Sequence, residues 1–291
     1  MGAKVVVIHG VGQEYAGSNS LQAGVAAAVR DGLCHAGGPD IDPSEVAVAF
    51  YGNVFRFTPG GGAKGGQDAY TFRDISSGPE AELLTALWDG TRADGAWSLT
   101  AGPANSKAAT PRTVQQALNA LSRSPFLARA GQRFLIGVLK QVTRYLTEEE
   151  TRRRVQAKIA AVVGPQTRVV VGHSLGSVVA YEALCVPRPD WSVRTLVTIG
   201  SPLGIPQVVF DRLNPMPVNG RGQWPGGVSR WTNLCDERDV VALVKRLEPL
   251  FGDGSSRIRD VLIHNGWQAH AIQHHLTAKE TGKAIADGLS G

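Results

Sequence analysis

At 291 residues, 43% of them hydrophobic, the chain has the proportions of a soluble globular protein with a sizeable core. Three cysteines, Cys34, Cys185 and Cys235, fall in no framework spacing, and no leader-like apolar run opens the chain, which together favour a cytoplasmic protein with reduced thiols over a disulfide scaffold. The net charge of +5 is scattered, and its densest run, Arg152-Arg153-Arg154, follows Thr147-Glu148-Glu149-Glu150, so that a capping box and i,i+4 ion pairs account for it and a nucleic-acid partner is excluded.

In chain order, Lys4-Val5-Val6-Val7-Ile8 reads as a short strand buried on both faces. It runs into His9-Gly10-Val11-Gly12-Gln13, a glycine-rich loop. The third glycine of a dinucleotide fingerprint is missing and no Gly-Lys-Ser/Thr follows, so neither a nucleotide nor any other cofactor is expected. Ser18-Asn19-Ser20 can cap a helix with Leu21, Val25 and Val29 on one face, and Glu45-Val46-Ala47-Val48-Ala49-Phe50-Tyr51 reads as the second strand. From about 53 to 146 the pattern dissolves into an insertion. It holds a glycine-rich stretch over 58–66, a polar irregular stretch from Trp88 to Pro111, and helix starts at Thr110-Pro111 and Ser124-Pro125. The helix beginning at Ser124-Pro125 carries Phe126, Leu127, Phe134, Leu135, Val138, Leu139, Val142, Tyr145 and Leu146, interrupted by Arg133, Lys140 and Arg144. Such a helix packs against a sheet or caps a site, touching a lipid surface at most, and cannot span a bilayer.

A helix from Glu148 to about Val163 leads into Arg168-Val169-Val170-Val171 and then Gly172-His173-Ser174-Leu175-Gly176. Strand, sharp turn and helix with a serine at the apex form a nucleophile elbow, in which Gly172 and Gly176 leave room for a strained Ser174. An attacking serine needs backbone N–H donors for the developing oxyanion. Leu175 supplies one, and the loop after the first strand supplies the other: Val11, with Gly10 and Gly12 as alternatives. Further on come a strand ending in Thr198-Ile199-Gly200-Ser201-Pro202, a loop over 206–227 rich in proline and glycine, and a strand at Val228-Ser229-Arg230-Trp231-Thr232-Asn233-Leu234. A last strand, Arg259-Asp260-Val261-Leu262-Ile263-His264, precedes a final helix capped by Thr277 and Glu280.

This order resembles the α/β-hydrolase superfamily. His9-Gly10, the elbow and the Thr-Ile-Gly-Ser-Pro segment are similar to those of bacterial lipases and of the GPI inositol-deacylase-like group. The resemblance, which does not extend over residues 53–146, implies one α/β-hydrolase domain over 1–291 with a reduced, mostly parallel sheet of about six strands; the insertion lies within that domain as a candidate cap. It implies hydrolysis of a small or lipid-like ester through an acyl-enzyme. Peptidase, thioesterase or acyltransferase chemistry, or a non-catalytic binding module, are the alternatives. The family order of serine, acid, histidine points to Asp239, whose Asp-Val-Val-Ala context resembles the acid segment. Asp236 is the runner-up and Glu237 stands behind it. For the base, on the loop after the last strand, His270 leads His274, His275 and His264. His270 and His274 share the spacing of helical zinc ligands, but no carboxylate lies between them, and no metal is expected.

Overall fold

The β-branched runs do form a sheet. In the computed structural model, which describes residues 2–56, 70–92, 111–123, 131–252, 258–266 and 268–291, six strands are parallel throughout. They are β1 Val5–Ile8, β2 Val46–Ala49, β3 Val169–His173, β4 Thr195–Ile199, β5 Arg230–Asp236 and β6 Ile258–Ile263, in the order β2-β1-β3-β4-β5-β6. This is the α/β-hydrolase architecture. β1 pairs with both β2 and β3 and is covered on both faces, so Val5, Val6, Val7 and Ile8 are completely buried. Each such side chain contributes about 1.5–3 kcal/mol relative to exposure.

Alternate residues of the strands feed two cores. Val5, Val7, Val171 and Val197 face α1 (Ser18–His35), α7 (Ile272–Thr277) and α8 (Lys279–Leu289). Val6, Ile8, Val170 and Leu196 face α2 (Pro79–Arg92), α3 (Pro111–Arg123), α4 (Gly131–Thr147), α5 (Glu149–Ala160) and α6 (Leu175–Cys185). The free edge of β2 is occupied by a side chain. The Gln22 carboxamide of α1 donates to the Val46 carbonyl and accepts from the Val48 N–H, both at 2.7 Å, as a neighbouring strand would.

Several local expectations are corrected. β2 ends at Ala49, and Tyr51 leaves the strand to meet His9. α2 was not foreseen, although Pro79 opens it and Glu80 and Glu82 lie in its first turn, where acids complement the helix dipole. Neither Thr147 nor Thr277 caps the helix that follows. Each closes the helix before it, with its hydroxyl donating back to the carbonyls of Thr143 and Gln273. α1 starts directly at Ser18 after Gly17, with no side-chain cap. Arg152 turns from Glu148 to buried Glu182, at 3.2 Å, while Glu148 pairs with Arg144 and Arg153 with Glu150. The stretch over 58–66, the residues over 93–110 and the Ser124-Pro125 start with Phe126 and Leu127 lie outside the described residues. Among the described residues, no helix is long and apolar enough to cross a membrane.

Candidate active site

β3 ends at His173, and the chain turns at Ser174 into α6 with φ 52° and ψ −129°, a conformation that L-residues resist. Two glycines make the turn sterically feasible. A Cβ on Gly172 would sit 2.5 Å from the Ser177 Cα, and one on Gly176 would sit 2.2 Å from the Ile8 carbonyl oxygen. The Ser174 N–H donates to the Ile199 carbonyl at the end of β4 (3.1 Å), which ties the turn to the neighbouring strand. Leu175 is the first residue of α6, so its N–H has no acceptor within the helix.

The parallel strands deliver the acid and the imidazole to the same end of the sheet. β5 ends at Asp236, and a turn closed by the Asp239 N–H on the Asp236 carbonyl (3.0 Å) carries Asp239 forward. Asp239 Oδ2 lies 2.7 Å from His270 Nδ1, and its Oδ1 accepts from the Val241 N–H at 2.9 Å. Lys245 braces this turn, its ammonium donating to the carbonyls of Asp236 and Asp239. Burial opposes a charge on Asp239, yet the adjoining His270 ring, with help from His275, holds the carboxyl well below the usual carboxylate range. The acid is therefore ionised and fixes the proton of His270 on Nδ1, which leaves Nε2 as the basic nitrogen. Asp236 does different work: it accepts from the Arg238 N–H (2.8 Å) and the Asn265 N–H (2.5 Å), holding the acid turn to the loop after β6. Glu237 is exposed.

Two features join this couple to the serine. His173, one residue before Ser174, places Nε2 2.8 Å from the His270 carbonyl oxygen. Burial, with His270 and His275 beside it, drives the His173 imidazole far below its ordinary value, so this ring is neutral and its Nε2–H donates. Gly200 has φ +54°, and a Cβ there would stand 2.9 Å from both Asp239 Oδ2 and His270 Nδ1. The glycine of the Thr-Ile-Gly-Ser-Pro segment thus makes room for the acid–imidazole pair. Ser174 itself is 4% exposed, and the ring of its neighbour His173 lies with its centroid 4.7 Å from that of His270.

The loop after β1 is anchored from below. His9 accepts from the Tyr51 N–H on Nε2 (3.1 Å), which puts its proton on Nδ1 for the Gly10 carbonyl (2.7 Å). The Tyr51 hydroxyl donates to the His9 carbonyl. Burial pushes the His9 imidazole down to about 4, so it stays neutral. A Cβ on Gly10 would lie 2.8 Å from the Ser174 Cβ, which brings this loop against the elbow. Two helices of the insertion reach the same end of the sheet. Gln141 of α4 bonds Gly12, and Gly90 of α2 packs on Leu243, just past the acid.

The remaining histidines separate. His264 is exposed beside Arg238, and His274 is exposed on α7. His270 lies in the turn before α7, so His270 and His274 do not share a helix face. His275 is fully buried, with Nε2 3.8 Å from Asp239 Oδ2. Asp239, His270 and His275 bring ligand-type atoms within 4.8 Å of one another. Tetrahedral zinc with bonds of 2.0–2.1 Å separates its ligands by about 3.3 Å. The 2.7 Å contact is that of a hydrogen bond and is too short for two zinc ligands as placed. Gln141, Lys245 and the space-making role of Gly200 were not evident from the sequence; only Gly200 carried a signal there, a segment that resembles one of lipases.

The family model described as the PGAP1-like alpha/beta domain matches residues 137–216. That stretch contains most of α4, then α5, β3, the elbow, α6 and β4, and stops before Asp239 and His270. Neither the curated proteins nor the solved structures compared with the chain gave a match. The fold and this similarity are those of hydrolase-type α/β proteins.

Proposed function

We propose that this protein is a serine hydrolase that cleaves the carboxylic ester of a small or lipid-like substrate through an acyl-enzyme. The observation that carries the reading is the Asp239–His270 pair, 2.7 Å apart, beside a serine held in a strained elbow. Free serine is a poor nucleophile and needs a neighbouring base. With Nδ1 committed to Asp239, His270 Nε2 takes the Ser174 proton as Oγ attacks the ester carbonyl. The carbonyl electron pair moves onto oxygen, where the N–H groups of Leu175 and Val11 receive it. Collapse of the tetrahedral intermediate expels the alcohol, which takes the proton from His270. Water then repeats the sequence on the acyl-enzyme, while Asp239 stays ionised and stabilises the imidazolium.

In this reading the chain is one hydrolase domain, and α2 to α4 form a cap that narrows access to the serine. Support for the cap comes from Gln141 at Gly12 and Gly90 at Leu243, contacts with the loops that follow β1 and β5. Three free cysteines, two of them buried, suit a reducing, cytoplasmic setting.

The test is intact-mass detection of a fluorophosphonate adduct, followed by a nitrophenyl-ester chain-length series. One adduct should form on the wild type, vanish in Ser174→Ala and slow strongly in His270→Ala. A folded wild type that forms no adduct would sink the hydrolase reading and favour a binding module on the same fold.

A further inference from the structure

We propose that Gln141 is a positioning residue that decides which backbone N–H groups of the loop after β1 face the reacting carbonyl; this rests on the hydrolase reading above. The loop offers three N–H groups, at Gly10, Val11 and Gly12, and the reaction needs one of them beside that of Leu175. Gln141 withdraws Gly12 from that choice. Its side chain, 6% exposed, reaches from α4 so that Oε1 accepts the Gly12 N–H at 3.2 Å. Gly12 has φ +78°, a left-handed conformation open to glycine, and its N–H meets α4 through this bond. Releasing that N–H to an oxyanion would leave a buried carboxamide oxygen unpaired, which is unfavourable. The N–H groups that remain, those of Gly10 and Val11, have no acceptor among the described residues.

Direction follows from the same bond. Fixing the Gly12 N–H fixes the plane of the Val11–Gly12 peptide, while the His9 and Tyr51 contacts fix the residue before Gly10. Gly10 and Val11 are then held between two clamps. The lower clamp comes from the strand ends and the upper one from the insertion. A preorganised donor works only if it points to where charge develops, so loss of the upper clamp weakens transition-state binding more than substrate binding.

Three measurements on the full chain test this: ester turnover and affinity for an alkylboronic acid, each on wild type and Gln141→Met, and amide spectra of the ¹⁵N-labelled wild type. Boronates form a tetrahedral adduct on serine whose oxygen occupies the donor site. Gln141→Met keeps side-chain length and loses the acceptor. It should lower kcat about ten- to a hundredfold, less than deletion of a donor, with KM within about twofold, and weaken the boronate in parallel. In the wild type, the adduct should move the Val11 and Leu175 amide protons downfield and leave that of Gly12 in place, a readout that stands even if the variant does not fold. A Gly12 amide that shifts on adduct formation would overturn the proposal. So would a Gln141→Met protein of lower Tm with unchanged kcat and boronate affinity, since Gln141 would then only pack. A folded wild type inert to both esters and boronate overturns the hydrolase reading, and this proposal with it.

Discussion

Asp239→Asn isolates the role proposed for the acid with almost no change of volume. Oδ1 of residue 239 accepts from the Val241 N–H, and an asparagine keeps its oxygen there because that donor is fixed by the backbone. Its amide nitrogen is then left facing His270 Nδ1 at the position 2.7 Å away. An N–H pointed at Nδ1 drives the ring proton to Nε2, the atom that the proposed mechanism requires to be empty to take the serine proton. The imidazolium formed during attack also loses its counter-ion. Two unit charges 2.7 Å apart attract by about 6 kcal/mol at an effective dielectric of about 20. A 10⁴-fold rate loss corresponds to about 5.5 kcal/mol, so a fall in kcat of roughly 10³–10⁴ is expected, with little change in KM. Steady-state hydrolysis of a nitrophenyl ester by Asp239→Asn and Asp236→Asn, with a thermal melt of each, makes the measurement. Asp236→Asn should lose stability, because it carries the Arg238 and Asn265 N–H groups, and keep most of its turnover per folded molecule. The reasoning fails if Asp239→Asn stays within tenfold of wild type while correctly folded.

Acid should destabilise the fold before Asp239 is affected. His9 is held neutral, at about 4 against an ordinary 6.5, so the unfolded chain binds the extra proton first and stability falls as pH drops from about 6.5 toward 4. His9 alone accounts for about 2 kcal/mol by pH 5, and neutral buried His173 adds to the same slope, whereas the Asp239 contribution persists until below about pH 4. Urea unfolding at pH 7 and pH 5 reads this, and equal stabilities would contradict it. Gly200→Ala should cost about 1–2 kcal/mol through its left-handed backbone, and about ten- to a hundredfold in kcat through the methyl forced against Asp239 and His270. Comparing its melt and turnover with wild type checks both parts, and an unchanged kcat would mean that the acid–imidazole pair tolerates displacement.

The strands were readable because a run such as Val5-Val6-Val7-Ile8, between Lys4 and the His9-Gly10 turn, has few other uses in a folded chain. The helix starts were not, because Thr147 and Thr277 satisfy the same pattern whether they open one helix or close another, and only the tertiary path decides. α2 carried adequate local signals in Pro79, Glu80 and the spacing of Leu83, Leu84 and Leu87, but these were submerged in glycine- and alanine-rich surroundings. Asp236 and Asp239 are three residues apart in one turn. Sequence sets that turn beside the last loop without specifying which carboxylate meets His270 and which meets the Asn265 N–H. Gln141 gives no local sign at all. A glutamine on a largely apolar helix reads as solvent-facing until the fold brings Gly12, distant in the chain, against it.

On the hydrolase reading proposed above, the backbone at Ser174 also sets stability and chemistry against each other. A φ of 52° with ψ −129° costs a residue bearing a Cβ about 1–3 kcal/mol, and the flanking glycines only make room for that conformation. Glycine at 174 would relax the turn and leave nothing to attack with. Directed evolution for heat tolerance alone would therefore be drawn to this position and would return robust, silent proteins. Only a screen that couples melting to turnover would keep the serine.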